Sequence, residues 1–239
     1  MNREHPTQDR IQYVLAQLSH ELRNSLGTIR SAIHVVGAAS PEDVATDKAR
    51  VLILRQVDQM TGLVDDLLDV SRIRTGRLKL RLARIDLCAV IAAALRTADG
   101  ALKQRGHRLA VSIPTTPVWL NADAARLEQA FVNLLVNAAK YTPDGGDVCV
   151  TARHEADTAV VVIRDTGIGM SAELLPRIFD LYVQARSSAR KDGLGLGLPL
   201  VRALVEAHGG TVVATSAGAD RGSEFTVRLP LSNDLRSSC

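Results

Sequence analysis

Six histidines occur in the sequence, and one of them has neighbours that could do chemistry with it. His20 lies in Ser19-His20-Glu21-Leu22-Arg23-Asn24-Ser25-Leu26, with a carboxylate beside it and an amide one helical turn on. A zinc-protease helix would need a second histidine at position 24, and Asn24 is not a usual zinc ligand. By itself the segment fits a nucleophilic imidazole and a solvent-exposed helical histidine equally well. A second cluster is Glu128-Gln129-Ala130-Phe131-Val132-Asn133-Leu134-Leu135-Val136-Asn137-Ala138-Ala139-Lys140-Tyr141-Thr142. Asn133, Asn137, Lys140 and Tyr141 fall at i, i+4, i+7 and i+8, opposite the apolar Phe131, Leu134, Leu135 and Ala138. Two amides and a lysine on one face suit a divalent cation and phosphate oxygens, although a solvated polar stripe would look similar. Two glycine-bearing segments follow, Asp165-Thr166-Gly167-Ile168-Gly169-Met170 and Gly193-Leu194-Gly195-Leu196-Gly197-Leu198-Pro199-Leu200. The first follows a strand-like run. The second opens into a helix, where backbone N–H groups can hold phosphates or glycines can act as a hinge. Its third glycine comes one residue too early for the dinucleotide fingerprint G-x-G-x-x-G.

These residues need elements to position them. Ile11, Leu15, Leu18, Leu22, Ser25, Ile29, Ala32 and Val36 mark the 4,3 seam of a long first helix, which leaves His20 off the seam and facing outward. Gly37 to Pro41 breaks it, with Ser40 as an N-cap. A second helix carries Val51, Leu54, Val57, Met60, Val64, Leu67 and Leu68 and ends near Thr75-Gly76. Such a hairpin leaves apolar surface wet, so a homodimer with a four-helix bundle is expected. Arg72, Arg74, Arg77, Lys79, Arg81 and Arg84 then read as a helix C-terminus and solvated linker. Beyond it the spacing predicts a strand into Asp86, a helix from Leu87 to about Gln104, a strand His107 to Ile113 and a helix from near Asp123. Further strands are predicted at 148–152, 159–163, 211–215 and 224–229. Helices on one side of a mixed sheet make an α/β sandwich.

Taken together and in this order, the motifs resemble the catalytic core of sensor histidine kinases. The His20 segment is similar to their phosphoacceptor box, with Ser25 where proline is usual. The later elements are similar to the ATP-binding (Bergerat) fold shared with gyrase, Hsp90 and MutL-type proteins. The resemblance implies that His20 is phosphorylated by ATP, Glu21 acts as general base and Asn24 positions water for reverse dephosphorylation of a partner. It implies that Asn137 carries Mg²⁺, Asn133 and Lys140 serve the phosphates, and Tyr141, Asp165, Gly167 and Gly169 meet the nucleotide base. Gly193, Gly195, Gly197 and Leu198 complete the nucleotide site. Ser171 to Asp192 would be the lid, with Ile178-Phe179-Asp180-Leu181-Tyr182 similar to the family's F-x-P-F box except that Leu181 replaces its proline. Arg186, Arg190 and Lys191 are basic residues of that loop.

The implied organisation is a polar segment 1–10, a dimerisation and phosphotransfer hairpin 11–76, a linker 77–85, an ATP-binding domain 86–231 and a tail 232–239. Implied partners are a second copy and the receiver domain of a response regulator, whose aspartate takes the phosphoryl group. The hydrolysing members of the superfamily form the nearest competing class. They place a glutamate base four residues before the magnesium asparagine, whereas this chain has Asn133 there, and an amide is a poor base.

Composition excludes other classes. The 239 residues are 46% hydrophobic and carry a net charge of +3, too mild for an electrostatic nucleic-acid module. At 3% aromatic, the chain has little to stack bases on, so no nucleic-acid partner is expected. The three cysteines are far apart and show no metal-ligand spacing, which fits a reduced, cytoplasmic compartment. No run approaches the roughly 20 apolar residues of a membrane span.

Overall fold

A computed structural model describes residues 22–36, 44–74, 76–181, 183 and 195–232. Two compact units divide near Thr75-Gly76. The first holds α1, helical throughout residues 22–36, and α2, Val44–Arg74. The alternating seam of α1 is visible in burial: Ser25 and Ala32 are buried while Leu26 and Ile33 are both 55% exposed. Ser25 is therefore a buried residue of the helix described from 22 to 36 and keeps the backbone donor that proline would remove. The Ser40 cap and Pro41 lie outside the described residues.

α2 carries two stripes. Thr46, Ala49 and Val70 are buried and Ile53, Gln56, Met60 and Leu67 half-buried, a 3,4 spacing that turns inward within the chain. Val51, Leu54, Val57, Val64 and Leu68, identified from sequence as an apolar stripe, stay exposed, Val51 at 65% and Leu54 at 64%. One chain covers only one of the two faces.

The second unit is the α/β sandwich. A short antiparallel pair joins β1 (Ala83–Asp86) to β3 (Trp119–Ala122). The main sheet contains β2 (Arg108–Ser112), β4 (Asp147–Glu155), β5 (Thr158–Asp165), β6 (Thr211–Thr215) and β7 (Ser223–Pro230) in the order β2-β4-β5-β7-β6. Only β2 and β4 run parallel; the other pairs are antiparallel. α3 (Leu87–Gln104), α4 (Ala124–Tyr141) and α5 (Gly197–Ala207) make the helical layer, with α4 between its two neighbours. The buried Leu127, Phe131, Leu134 and Ala138 of α4 meet a core that includes Val150, Val161 and Ile163. Burying each of these side chains other than the Ala138 methyl stabilises by about 1.5–3 kcal/mol.

The starts of α3 and α4 follow from aspartates. Asp86 Oδ1 accepts from Cys88 N at 3.0 Å, and Asp123 Oδ1 accepts from Arg126 N at 3.2 Å. Asp86 Oδ1 also accepts from Val118 N at 3.0 Å, which fastens the segment leading into β3. β3 and its pairing with β1 were not read from the sequence, because four residues after a Pro- and Thr-rich stretch give no periodicity.

The N-terminus of α4 is held from a distance of 85 residues. Asp123 N donates to His208 Nε2 at 3.0 Å, and His208 Nδ1 donates to Leu204 O at 2.7 Å. These partners assign the neutral Nδ1–H tautomer and join the end of α5 to the start of α4. His208→Ala would leave a buried N–H unpaired, and its cost in a urea-unfolding measurement is expected to be about 1–3 kcal/mol. An unchanged stability would contradict this role.

Candidate functional site

α4 divides the site residues from the core by its own periodicity. Its apolar back is buried, and Asn133, Asn137, Lys140 and Tyr141 are half-buried on the other side. The first residue of α5, Gly197, stands against both amides. A Cβ there would lie 3.7 Å from Asn133 Cγ and 4.0 Å from Asn137 Nδ2, so glycine leaves space between the α5 start and the two asparagines. Asn133 Nδ2 is buried and makes no hydrogen bond among the described residues, an unusual state for an amide. Lys140 Nζ lies 5.1 Å from the Tyr141 ring centroid.

Beside this face lies a cleft of about 590 Å³, part of which is open to solvent. Asn137, Tyr141, Asp165, Gly169 and Leu198 line it, as do Ile168, Met170, Leu174, Ile178, Val183, Ser223 and Phe225. Its walls are largely apolar with a few polar groups, the usual make-up of a small-molecule site. Leu174, Ile178 and Val183 fall within the segment that the sequence marked as a lid, whereas Ser223 and Phe225 were not singled out; the Gly222-Ser223 pair leading into β7 was the available signal.

The loop after β5 is the floor of this cleft. Asp165 Oδ1 accepts from Gly167 N at 2.8 Å and Ser223 N at 3.2 Å, while Oδ2 takes no hydrogen bond from the described residues. A carboxylate oxygen open to a cleft can accept an exocyclic amine. Tyr141 O accepts from Ile168 N at 3.0 Å, which fastens the end of α4 to the same loop. Gly169 has φ +63°, and a Cβ there would run into the Gly218 carbonyl. That close approach is held by Asp220 N donating to Ile168 O at 2.7 Å and by the Ser216 hydroxyl. Ser216 Oγ accepts from Met170 N at 2.9 Å and lies 2.7 Å from Gly222 O, to which it can donate. Ser216 is thus a support that sequence reasoning missed.

Asn24 is exposed on α1, in the other unit. His20, Glu21, Gly193, Tyr182, Arg186, Arg190 and Lys191 lie outside the described residues. Gly195 has φ +66°. Asn137 offers a hard oxygen next to the cleft, which fits Mg²⁺, an ion that keeps most of its oxygen shell from phosphate and water. Among the described residues no cluster of three His, Cys, Asp or Glu side chains forms an all-protein metal cage.

Burial pushes the Asp165 carboxyl above its ordinary value of 3.8, and the two backbone N–H groups partly oppose this. A carboxyl raised in the folded state contributes stability that is complete below the unfolded value and is lost as pH rises through the folded one. Asp165→Asn keeps the Oδ1 acceptor without the charge. The variant is expected to be more stable than the parent at about pH 7, the gap closing toward about pH 4. Urea midpoints across that range check it; a variant less stable than its parent at neutral pH would count against the burial cost.

Residues 122–233 match the family of histidine kinase-, DNA gyrase B- and HSP90-like ATPases, and residues 10–76 match the His Kinase A (phospho-acceptor) domain. Histidine protein kinase DivJ of Caulobacter vibrioides is 36% identical over 221 residues, 91% of this chain and 37% of that protein. Among solved structures, Acinetobacter baumannii histidine kinase AdeS is 25% identical with a TM-score of 0.64, covering 90% of this chain and 98% of that one. Full-length ShkA, in complex with AMPPNP, is 28% identical with a TM-score of 0.66, covering 91% of this chain and 45% of that one. The chain spans less than half the length of the curated relatives it matches. With a phospho-acceptor region followed by an ATPase domain in one chain, this protein belongs to the sensor histidine kinases, of which it carries the catalytic core.

Proposed function

We propose that the chain uses Mg-ATP to phosphorylate His20 and passes the phosphoryl group to an aspartate of a response-regulator receiver domain. The observation that carries this is Asn133. It stands where hydrolysing relatives of the fold need a glutamate base, and its side chain, whose buried Nδ2 has no hydrogen-bond partner among the described residues, faces the start of α5. An amide there can hold a phosphate oxygen but cannot readily take a proton from water. The phosphoryl group therefore needs a protein nucleophile. The nucleotide complex of ShkA supports ATP as the ligand of the cleft.

In this reading the adenine amine donates to Asp165 Oδ2, and Tyr141, Gly167 and Gly169 let the base lie against the loop. Asn133, Gly193, Gly195, Gly197 and Leu198 bracket the phosphates, while Lys140 compensates charge as transfer proceeds. Asn137 would hold the magnesium ion, whose positive charge would draw electron density from the bond to ADP. A His20 ring nitrogen attacks the γ-phosphorus, a P–N bond forms, the bond to the ADP oxygen breaks, and Glu21 takes the proton from the ring. The receiver aspartate then attacks the same phosphorus and the P–N bond breaks. Asn24, exposed on α1, would place a water in the reverse reaction on the partner.

The working domains are the hairpin 11–76 and the ATP-binding domain 86–231, joined by 77–85. We further propose a homodimer. The exposed stripe Val51, Leu54, Val57, Val64 and Leu68 supports it, since a second α2 face would remove that apolar surface from water.

Two outcomes follow. Incubation with γ-labelled ATP is expected to give an acid-labile, alkali-stable label that is absent from His20→Ala; label retained in that variant would overturn the assignment. Sedimentation is expected to show a dimer that Leu54→Lys with Leu68→Lys converts to monomer, because two buried charges would lack partners. A dimer that survives both substitutions would place the interface elsewhere.

A further inference from the structure

α4 ends where two of its site residues sit, so the last turn of the helix decides where Lys140 and Tyr141 point. A helix leaves its final four carbonyls without intrahelical partners, here those of Ala138 to Tyr141. Ala138 O accepts from Thr142 N at 3.1 Å, and Tyr141 O is taken by the loop after β5. The middle two receive no backbone donor from the described residues.

Arg105, in the turn between α3 and β2, fills that gap. Its Nη1 donates to Ala139 O at 2.8 Å and to Lys140 O at 2.6 Å. Its Nε donates to Asp144 Oδ1 at 2.8 Å, which fixes the plane of the guanidinium, and its own carbonyl accepts from Gly145 N at 2.9 Å. Ala139 O has a second donor in His107 Nε2 at 2.9 Å. Lys140 O has no donor but Arg105 among the described residues. A positive charge at a helix C-terminus also opposes the negative end of the helix dipole.

We infer that Arg105 is a positioning residue for the nucleotide site: by capping the last turn of α4 it fixes the direction in which Lys140 leaves the helix. This rests on the reading of Lys140 as the phosphate-facing lysine. Lysine at position 105 could not do the same, since its single ammonium cannot grip Asp144 and two carbonyls as a planar fork does.

A double-mutant cycle in the full chain tests it, with Mg-ATP affinity measured by calorimetry and folding followed by circular dichroism. Arg105→Ala is expected to weaken Mg-ATP about five- to tenfold, less than the worth of one charge-assisted hydrogen bond because the loss reaches the nucleotide only through Lys140, and Arg105→Lys to recover only part. In a Lys140→Ala background the same change should cost less than about twofold, because the group being positioned is gone. Equal losses in both backgrounds, or unchanged affinity in folded Arg105→Ala, would reduce Arg105 to a structural cap and overturn the inference. If Arg105→Ala fails to fold, Arg105→Lys takes its place in the cycle, with a loss of about two- to threefold and the same non-additivity expected. A parent chain that does not bind Mg-ATP would instead overturn the nucleotide reading itself.

Discussion

The packing of α4 against the sheet is the constraint from which the site follows. Phe131, Leu134, Leu135 and Ala138 are all but fully buried, so the helix has no freedom to rotate about its axis without exposing them. Its opposite face is thereby fixed, and with it the two asparagines, the lysine and the tyrosine. Both ends are pinned as well. His208 and the Asp123 side chain hold the first turn, while Arg105, Thr142 and the loop after β5 hold the last. A helix fixed in rotation and at both ends can present polar groups to a cleft at constant geometry, which is what electrostatic stabilisation of phosphoryl transfer needs.

The cleft shows how separate segments share this frame. Asp165 leaves β5 with one oxygen committed to backbone N–H groups and the other available. The Asp165 to Met170 loop can lie close to the loop before β7 because Gly169 has no side chain and Ser216 ties the two together. Breaking any one of these supports would leave the elements intact and move the groups that face the cleft. The two α2 stripes express a comparable economy in the helical unit: one chain buries the inward face, and the outward face is left for another surface.

Much of this was legible in the sequence because the periods are long and clean. α3 was read as Leu87 to about Gln104, and α4 from near Asp123, because an apolar stripe at helical spacing runs through each; that an aspartate caps each start is seen only in the structure. The strands of the main sheet alternate or run apolar for five residues or more and were read to within a few residues. β3, by contrast, is four residues long and is defined by its pairing with β1, a contact that no local pattern announces. The α4 motif and Asp165 were visible as spaced polar groups, but their supports were not. Arg105, His208 and Ser216 act through backbone atoms far away in the chain, and a lone arginine, histidine or serine carries no spacing to betray that. The second stripe of α2 was visible as apolar residues, whereas which face turned inward depended on tertiary packing.

The central claim is that the phosphoryl group goes to a histidine and not to water, and counting products tests it most directly. In a reaction of the parent chain with Mg-ATP and no receiver domain, ADP release should stop at about one ADP per phosphorylated His20, the stoichiometry of a single transfer. The His20→Ala chain should bind ATP and release almost none. Sustained ADP release by that variant, at a rate matching the parent, would mean that the site activates water despite Asn133, and would contradict the account.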